Sequence, residues 1–347
     1  MKKKGVDIRD VAALAGVSVG SASRVINGVE NVSAATREKV ERAIAVLDYR
    51  PNHAAQSLRS RSSKTIGCLF TDVTNPLYAR LFRALEERLR SEGYMLLLAN
   101  GLNDVQREAE TLALFGRRGM DGVIAAPGNE RDATVLAALN ALSMPVVILD
   151  RDMALPACDA VLFDHAAGMR TAMAHLFSLG HRQVALALWR ASSRPVRRRI
   201  EGYRAAYRAA GLVPPDMLVQ AESATGSVHA DVDALLRRPD RPTAIVAQGT
   251  YTLGSTLQAI ADNGLRIPQD ISVISIGDTD AARDHRPSIS LLNVDSQRVA
   301  ELVAEQLRSR MAEPQLAPRS EKVPLVFTDR GSVAPPPAAL VTTLRGT

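Results

Sequence analysis

Apolar positions in the first fifty residues recur at helical spacing. Val11, Ala12 and Ala15 share one face of a segment from Ile8 to Ala15, and Ala22, Val25 and Ile26 one face of a segment from Val19 to Asn27. Asp7 is placed to cap the first segment, with Asp10 three residues on as in a capping box, and Gly16 ends it because glycine enters the left-handed region without a side-chain clash. Ser18 offers a second cap two residues later. Two short helices joined by Gly-Val-Ser predict a helix-turn-helix, and small facing residues let them cross closely. A third helix is expected from Ser33, carrying Val40, Ala43, Ile44 and Leu47 on one face and stopping before Pro51. Residues 1–50 thus read as an all-α headpiece with a minimal core.

From Lys64 onward the pattern changes to apolar runs alternating with amphipathic stretches. The runs Thr65–Phe70, Met95–Ala99, Val123–Ala126, Val146–Leu149, Val184–Leu188, Thr243–Ala247 and Ile271–Ile276 predict strands. Helices are expected at Ala79–Ser91, Val105–Arg117, Ala166–Leu179, Arg199–Ala210 and Tyr251–Asn263. This alternation predicts an α/β core of parallel sheets with helices on both faces. Ligands of such sheets bind at the carboxyl ends of the strands, here in a cleft between two lobes. Beyond Arg330 the run Val-Ala-Pro-Pro-Pro-Ala-Ala is too proline-rich for a helix, and residues 331–347 are expected to be a disordered tail.

The chain has 347 residues, 46% hydrophobic and 23% charged, an ordinary globular balance with room for two or three domains. No apolar run approaches the roughly 20 residues of a membrane helix. The start, Met1-Lys2-Lys3-Lys4, is basic without a following apolar stretch, so the expectation is a cytoplasmic chain without a membrane partner. Cys68 and Cys158 lie far apart in strand-like surroundings and read as buried, reduced thiols. The formal charge is +6; residues 1–62 hold eleven Lys/Arg against six Asp/Glu, an excess of five. A basic terminus on a near-neutral body suggests a polyanion partner, although a merely solvated basic segment gives the same count.

The second helix carries the chemistry such a partner needs. Val19 and Gly20 would face base edges, and Arg24 would contact a guanine edge or a phosphate. Ser23, Asn27 and the backbone N–H groups near Ser18 and Ser33 suit phosphate contacts. An αα-hairpin with no groove contact is the plainer alternative.

Asp10-Val11-Ala12-Ala13-Leu14-Ala15-Gly16-Val17-Ser18, followed by Ser23-Arg24-Val25-Ile26-Asn27-Gly28, Val32-Ser33-Ala34-Ala35-Thr36-Arg37-Glu38-Lys39-Val40 and Tyr49-Arg50-Pro51-Asn52, resembles the headpiece of the lactose-repressor (LacI/GalR) family. The resemblance runs to about Phe327 through Asn75-Pro76, Asp121-Gly122, Asp150-Arg151-Asp152, Gly180-His181-Arg182, Gly202-Tyr203 and Pro268-Gln269-Asp270. It implies a homodimeric transcriptional repressor on double-stranded operator DNA, with a two-lobed, periplasmic-binding-protein-like core for a small-molecule effector, and no enzyme or cofactor. Residues 51–62 would form a hinge helix in the minor groove, with Asn52, Ala55, Leu58 and Arg59 at the DNA and Leu58 wedged between base steps; a polar linker is the alternative. The core would span 63–330, with a first lobe of about 63–164 and 294–324 and a second of about 165–293 and 325–330.

The resemblance carries Arg199 over as a ligand-binding arginine and places Tyr78, Asp150 and Arg151 in loops lining the cleft. Two departures stand out. Gln248-Gly249 replaces the Asn-Asp of sugar-binding members, and Gly277-Asp278 lacks the first aspartate of their Gly-Tyr-Asp-Asp. With Arg194, Arg197 and Arg198 crowding Arg199, and Gln248 and Asp278 as the remaining contacts, the cleft suits an anionic effector such as a sugar acid. Two other readings stay open: a solvated helix start with only Arg199 inward, and a degenerate pocket. An enzyme lacks support, because there is no phosphate loop, nucleophile elbow or metal-ligand spacing. A solute-binding transport protein would share the core but not residues 1–60.

Overall fold

The computed structural model describes residues 6–28, 31–49, 62–153, 155, 157–190, 192–222 and 226–338. The chain divides into two compact units, Met1–Ser63 and Lys64–Thr347. The first holds α1 (Ile8–Ala15), α2 (Val19–Ile26) and α3 (Ala34–Leu47). Val11, Ala22 and Val40, each fully buried, are the centre of its small core.

In the second unit the β-α alternation continues through β1 (Thr65–Phe70), α4 (Pro76–Arg90), β2 (Met95–Asn100), α5 (Val105–Arg117), β3 (Gly122–Ala126), α6 (Ala133–Asn140), β4 (Val146–Leu149) and β5 (Asp159–Asp164). It resumes with α7 (His165–Ser178), β6 (Val184–Trp189), α8 (Arg194–Ala209), β7 (Leu218–Ala221), α9 (His229–Leu236), β8 (Ala244–Gln248), α10 (Leu253–Asp262), β9 (Ser272–Ile276) and α11 (Asp280–Asp284). The chain then runs through β10 (Ser290–Val294), α12 (Ser296–Ala312) and β11 (Ser320–Thr328).

Hydrogen-bonded strand order is β2-β1-β3-β4-β5-β11-β10-β9-β8-β6-β7, so β11 joins two parallel sheets. Residues Ser320–Pro324 of β11 pair with β5 in parallel, and Leu325–Thr328 pair with β10 antiparallel. Pro324, with no N–H to donate, stands where the strand changes sheets. Each sheet is covered on both faces. In the first lobe, α4 and α12 pack one side through Leu85, Leu89 and Val303, and α5 and α6 the other through Leu112, Phe115 and Leu139. In the second, α7 and α8 cover one face through Met169, Tyr203 and Tyr207, and α9 and α10 the other. The first lobe is therefore completed by residues that follow the second in sequence. Gly202 lets α7 and α8 meet, since a Cβ there would lie 2.5 Å from the Ala166 carbonyl oxygen. Among the described residues no helix is long and apolar enough to cross a membrane.

The expected disordered tail needs correction at its start. Residues 331–338 are ordered against the second lobe, and residues 339–347 lie outside the described residues. The Ser332 hydroxyl is buried, donating to Val273 O at 2.6 Å and accepting from Ser290 N at 2.8 Å. Ala334 O receives His181 Nε2 at 2.8 Å and Ser272 Oγ at 3.0 Å, and His181 Nδ1 lies 2.8 Å from Thr243 Oγ1. Proline content argues against a helix through Pro337, but not against an extended segment pinned by Ser332 and Ala334, and helical geometry begins only at Ala338. Both thiols are raised by burial, Cys158 to about 11.

Burial lowers the His181 pKa from 6.5 to about 4, so the folded protein holds it neutral where the unfolded chain takes up a proton. Its contribution to stability is present above pH 6.5 and lost as pH falls from there towards 4. At about 1.4 kcal/mol per pKa unit, the loss is about 3 kcal/mol. Chemical denaturation from pH 7 to pH 4.5 should show this slope, and His181→Asn should flatten it.

Candidate nucleic-acid interface and ligand cleft

The headpiece caps form as their chemistry requires. Asp7 Oδ1 accepts from Arg9 N at 2.7 Å and Asp10 N at 3.3 Å, while Asp10 Oδ2 accepts from Asp7 N at 2.8 Å. Gly16 closes α1 in the left-handed region at φ 65°. The hydroxyls of Ser18 and Ser33 accept from Ser21 N and Thr36 N, so these serines cap α2 and α3, leaving the first backbone N–H groups of each helix outward.

Ser18, Val19, Gly20, Arg24 and Asn27 are exposed at the start and along one face of α2. A Cβ on Gly20 would meet only the Ser18 hydroxyl, at 3.7 Å, so headpiece packing does not itself demand a glycine there. Ser23 departs from expectation. It is 8% exposed and lies beneath Asn27, whose Nδ2 donates to its hydroxyl at 3.2 Å, so it is not presented for a phosphate contact. The hinge residues Asn52, Ala55, Leu58 and Arg59 lie outside the described residues.

Between the lobes of the core lie two cavities of about 40 and 60 Å³ with Asn75, Leu77, Phe163, Arg199 and Gln248 common to both. Tyr78, Asp150, Arg151, Trp189 and Tyr251 line the larger, and Arg80, Gly277 and Asp278 the smaller. Every expected cleft residue therefore borders this space, but not every side chain is available to a ligand.

Asp150, at φ 52° in the left-handed region, has both oxygens occupied. Oδ1 accepts from Phe163 N at 3.1 Å and from Arg194 Nη1, and Oδ2 from His165 Nε2 at 2.7 Å. Burial alone would raise its pKa, but His165 and Arg194 outweigh it and hold the carboxyl below the usual range. Burial likewise lowers the His165 pKa, against the opposing pull of Asp150. Arg151 is tied to Pro127 O at 2.5 Å, Asp150 O at 2.9 Å, Thr71 Oγ1 at 3.0 Å and Tyr78 Oη at 2.9 Å. Asp278 turns its carboxylate to Arg283 at 3.0 Å and Arg330 at 3.1 Å. Asp150, Arg151 and Asp278 thus border the cleft with their side chains engaged by other residues of the protein.

The arginine cluster also resolves differently. Helix α8 begins at Arg194, so all four arginines are helical. Arg194 pairs with Asp150 and Arg197 with Glu130 and Asp152; Arg198 meets Glu201 at 2.8 Å. Arg199 alone of the four has no hydrogen-bond or ion-pair partner among the described residues. It is 8% exposed, lines both cavities, and desolvation brings its pKa down to about 10. Across the smaller cavity, Arg80 donates Nη1 to Asp278 O at 2.8 Å while its Nε and Nη2 are buried without a partner. Gln248 Oε1 accepts from Trp189 N at 3.2 Å, and Gly277, at φ 99°, leaves open space where a side chain would stand. Arg80 escaped the sequence reading because a single arginine on an amphipathic helix carries no signal of where it points. Among the described residues no His/Cys/Asp/Glu group is placed to hold a metal ion.

Comparison with known proteins agrees with this arrangement. The profile described as bacterial regulatory proteins, lacI family, matches residues 7–52, and that of a periplasmic binding protein-like domain matches residues 173–333. The chain is 32% identical to the ribose operon repressor of Escherichia coli (strain K12), covering 94% of this chain and 99% of that one. It is 27% identical to the HTH-type transcriptional repressor PurR of Aliivibrio salmonicida, covering 88% and 92% respectively. Its fold superposes with a TM-score of 0.83 on the Lac repressor dimer bound to operator and the anti-inducer ONPF, at 26% identity over 95% of this chain and 100% of that one.

Removing one partner of a buried ion pair leaves the other charge uncompensated. Asp150→Asn should therefore cost about 3–5 kcal/mol in chemical denaturation, and a loss below about 1 kcal/mol would show that Arg194 finds another partner.

Proposed function

Because the chain belongs to the lacI family of bacterial regulatory proteins, we propose that it represses transcription by binding operator DNA as a homodimer, with an anionic metabolite in the interlobe cleft setting its affinity. Val19, Gly20 and Arg24 read base edges, Asn27 and the N-termini of α2 and α3 hold phosphates, and residues 51–62 supply the minor-groove hinge through Asn52, Ala55, Leu58 and Arg59.

The observation that carries the effector half is Arg199. A buried guanidinium without a partner pays a desolvation penalty that a ligand's acceptor group would relieve. The acids around it point to an anion rather than a neutral acceptor. Asp150 is neutralised by Arg194, Asp278 faces Arg283 and Arg330, and Gly277 offers no carboxylate, while Arg80 keeps donors free on the far side. Similarity to ribose operon repressors favours a sugar framework, and a sugar acid or sugar phosphate satisfies both observations.

Support for a dimer comes from the first sheet. Strand β2 is its edge, and it leaves Met95, Leu97 and Leu98 exposed at 64%, 41% and 43%. An apolar edge of this kind calls for cover.

Fluorescence anisotropy against DNA from the gene's own upstream region, compared with a scrambled duplex at two salt concentrations, tests the function. Preferential binding with a steep salt dependence is expected, and Arg24→Ala should weaken it by about 1–3 kcal/mol. Arg199→Met should retain operator binding and lose its response to sugar acids and sugar phosphates. No sequence preference in any condition would sink the regulator, and an undiminished response in Arg199→Met would sink the effector site. Leu97→Lys should convert the dimer to monomer in sedimentation velocity; an unchanged dimer would place the contact elsewhere.

A further inference from the structure

The start of α8 is locally unfavourable. Arg194, Arg197, Arg198 and Arg199 put four cations into its first two turns, where the helix dipole repels positive charge, and like charges three and four residues apart repel one another. Ser193 makes no side-chain cap hydrogen bond to offset this. Compensation comes from the opposite lobe. Arg194 Nη1 binds Asp150 and donates to Phe163 O at 2.9 Å, and its Nε lies 3.1 Å from Asp152. Arg197 bridges Glu130 at 2.7 Å and Asp152 at 3.0 Å.

The receiving acids are gathered at one place, since Glu130 and Asp152 both meet Arg197. Asp152 N donates to Glu130 Oε2 at 3.2 Å, which brings the two loops and their like charges together. The socket is nonetheless rigid. Glu108, fully buried, accepts from Gly128 N at 2.6 Å and Asn129 N at 3.3 Å, and Arg151 holds Pro127 O, so the loop is anchored immediately before Glu130. Repulsion within each lobe and attraction between them both favour closure. Glu130, Asp150 and Arg194 are each at most 5% exposed, so little solvent screens the contact.

The closed space is small. At about 10–15 Å³ per water, cavities of about 40 and 60 Å³ hold no more than about ten waters between them. We propose that Arg194 and Arg197, with Glu130, Asp150 and Asp152, form an interlobe latch that holds the two lobes together over the cleft, so that an effector entering it works against these contacts. The gating role rests on the effector reading above, whereas the closure does not.

Trp189, the only tryptophan in the chain, lines the larger cavity and reports its opening without a label. Acrylamide quenching of the ligand-free, full-length protein tests the latch. Arg197→Gln combined with Asp152→Asn, both at partly exposed positions, should raise the quenching constant several-fold over the native chain. Arg198→Gln, whose main partner is Glu201 on its own helix, should leave it unchanged. Equal quenching in the native chain and the double variant overturns the latch, as does an equal rise in Arg198→Gln. Operator binding of the same samples separates the two ideas. DNA binding with no quenching change removes the latch alone, and a quenching change without DNA binding in the native chain removes the regulator alone. A folded double variant is verified by an unchanged far-UV spectrum; if it unfolds, Arg197→Lys replaces it, with quenching near the native value expected and a rise to the unfolded level overturning the proposal.

Discussion

The carboxylate of Asp150 is the contact on which the core's geometry turns. It sits on a backbone position that a non-glycine residue adopts only when its surroundings hold it there. One oxygen takes the Phe163 amide, the other the His165 ring, and these two residues flank the point where the chain first leaves the first lobe for the second. Arg194 arrives from the second lobe onto the same group. A single buried charge thereby fixes the crossover and draws the lobes together. The same burial lowers the His165 pKa, and the neighbouring Arg199 and Arg194 push it the same way.

What separates this cleft from a simple sugar site is the distribution of its charges. The acids and arginines on its walls are mostly matched across the lobe boundary, leaving Arg199 unmatched at the junction of the two cavities. The absence of a side chain at Gly277 deepens that imbalance. Arg199 thus faces the cleft with its charge uncompensated by any hydrogen bond or ion pair among the described residues.

Much of this was legible in the sequence. The headpiece was read almost to the residue, because Asp7, Gly16, Ser18 and Ser33 are local signals whose partners lie within four positions. Strongly apolar strands such as β1 and β4 were equally plain. The strands β5, β7, β10 and β11 were not expected. β5 and β11 alternate buried with partly exposed residues, β7 is four residues long, and Pro324 interrupts β11. Among helices, α6 and α9 lack a strong polar face, and α12 followed an unrecognised strand. Within the site, sequence found the residues bordering the cleft but not their availability. That Asp150 is occupied depends on Arg194, 44 residues away, and that Asp278 faces Arg330 depends on a contact across 52. Ser23 was misjudged for a smaller reason, since helix position does not reveal that Asn27 folds over it.

The interleaving of the lobes has a consequence for how the protein is made. Helix α12 and the first half of β11 belong to the first lobe, yet they leave the ribosome after the entire second lobe. The amino-terminal lobe must wait, with the apolar face of β1, β3 and β4 uncovered on the α12 side, until nearly the whole core has been synthesised. The headpiece, whose contacts are all local, can fold long before. During translation the chain therefore carries a finished DNA-reading module on an unfinished body, and its exposed half-sheet is the surface that chaperones would have most reason to meet.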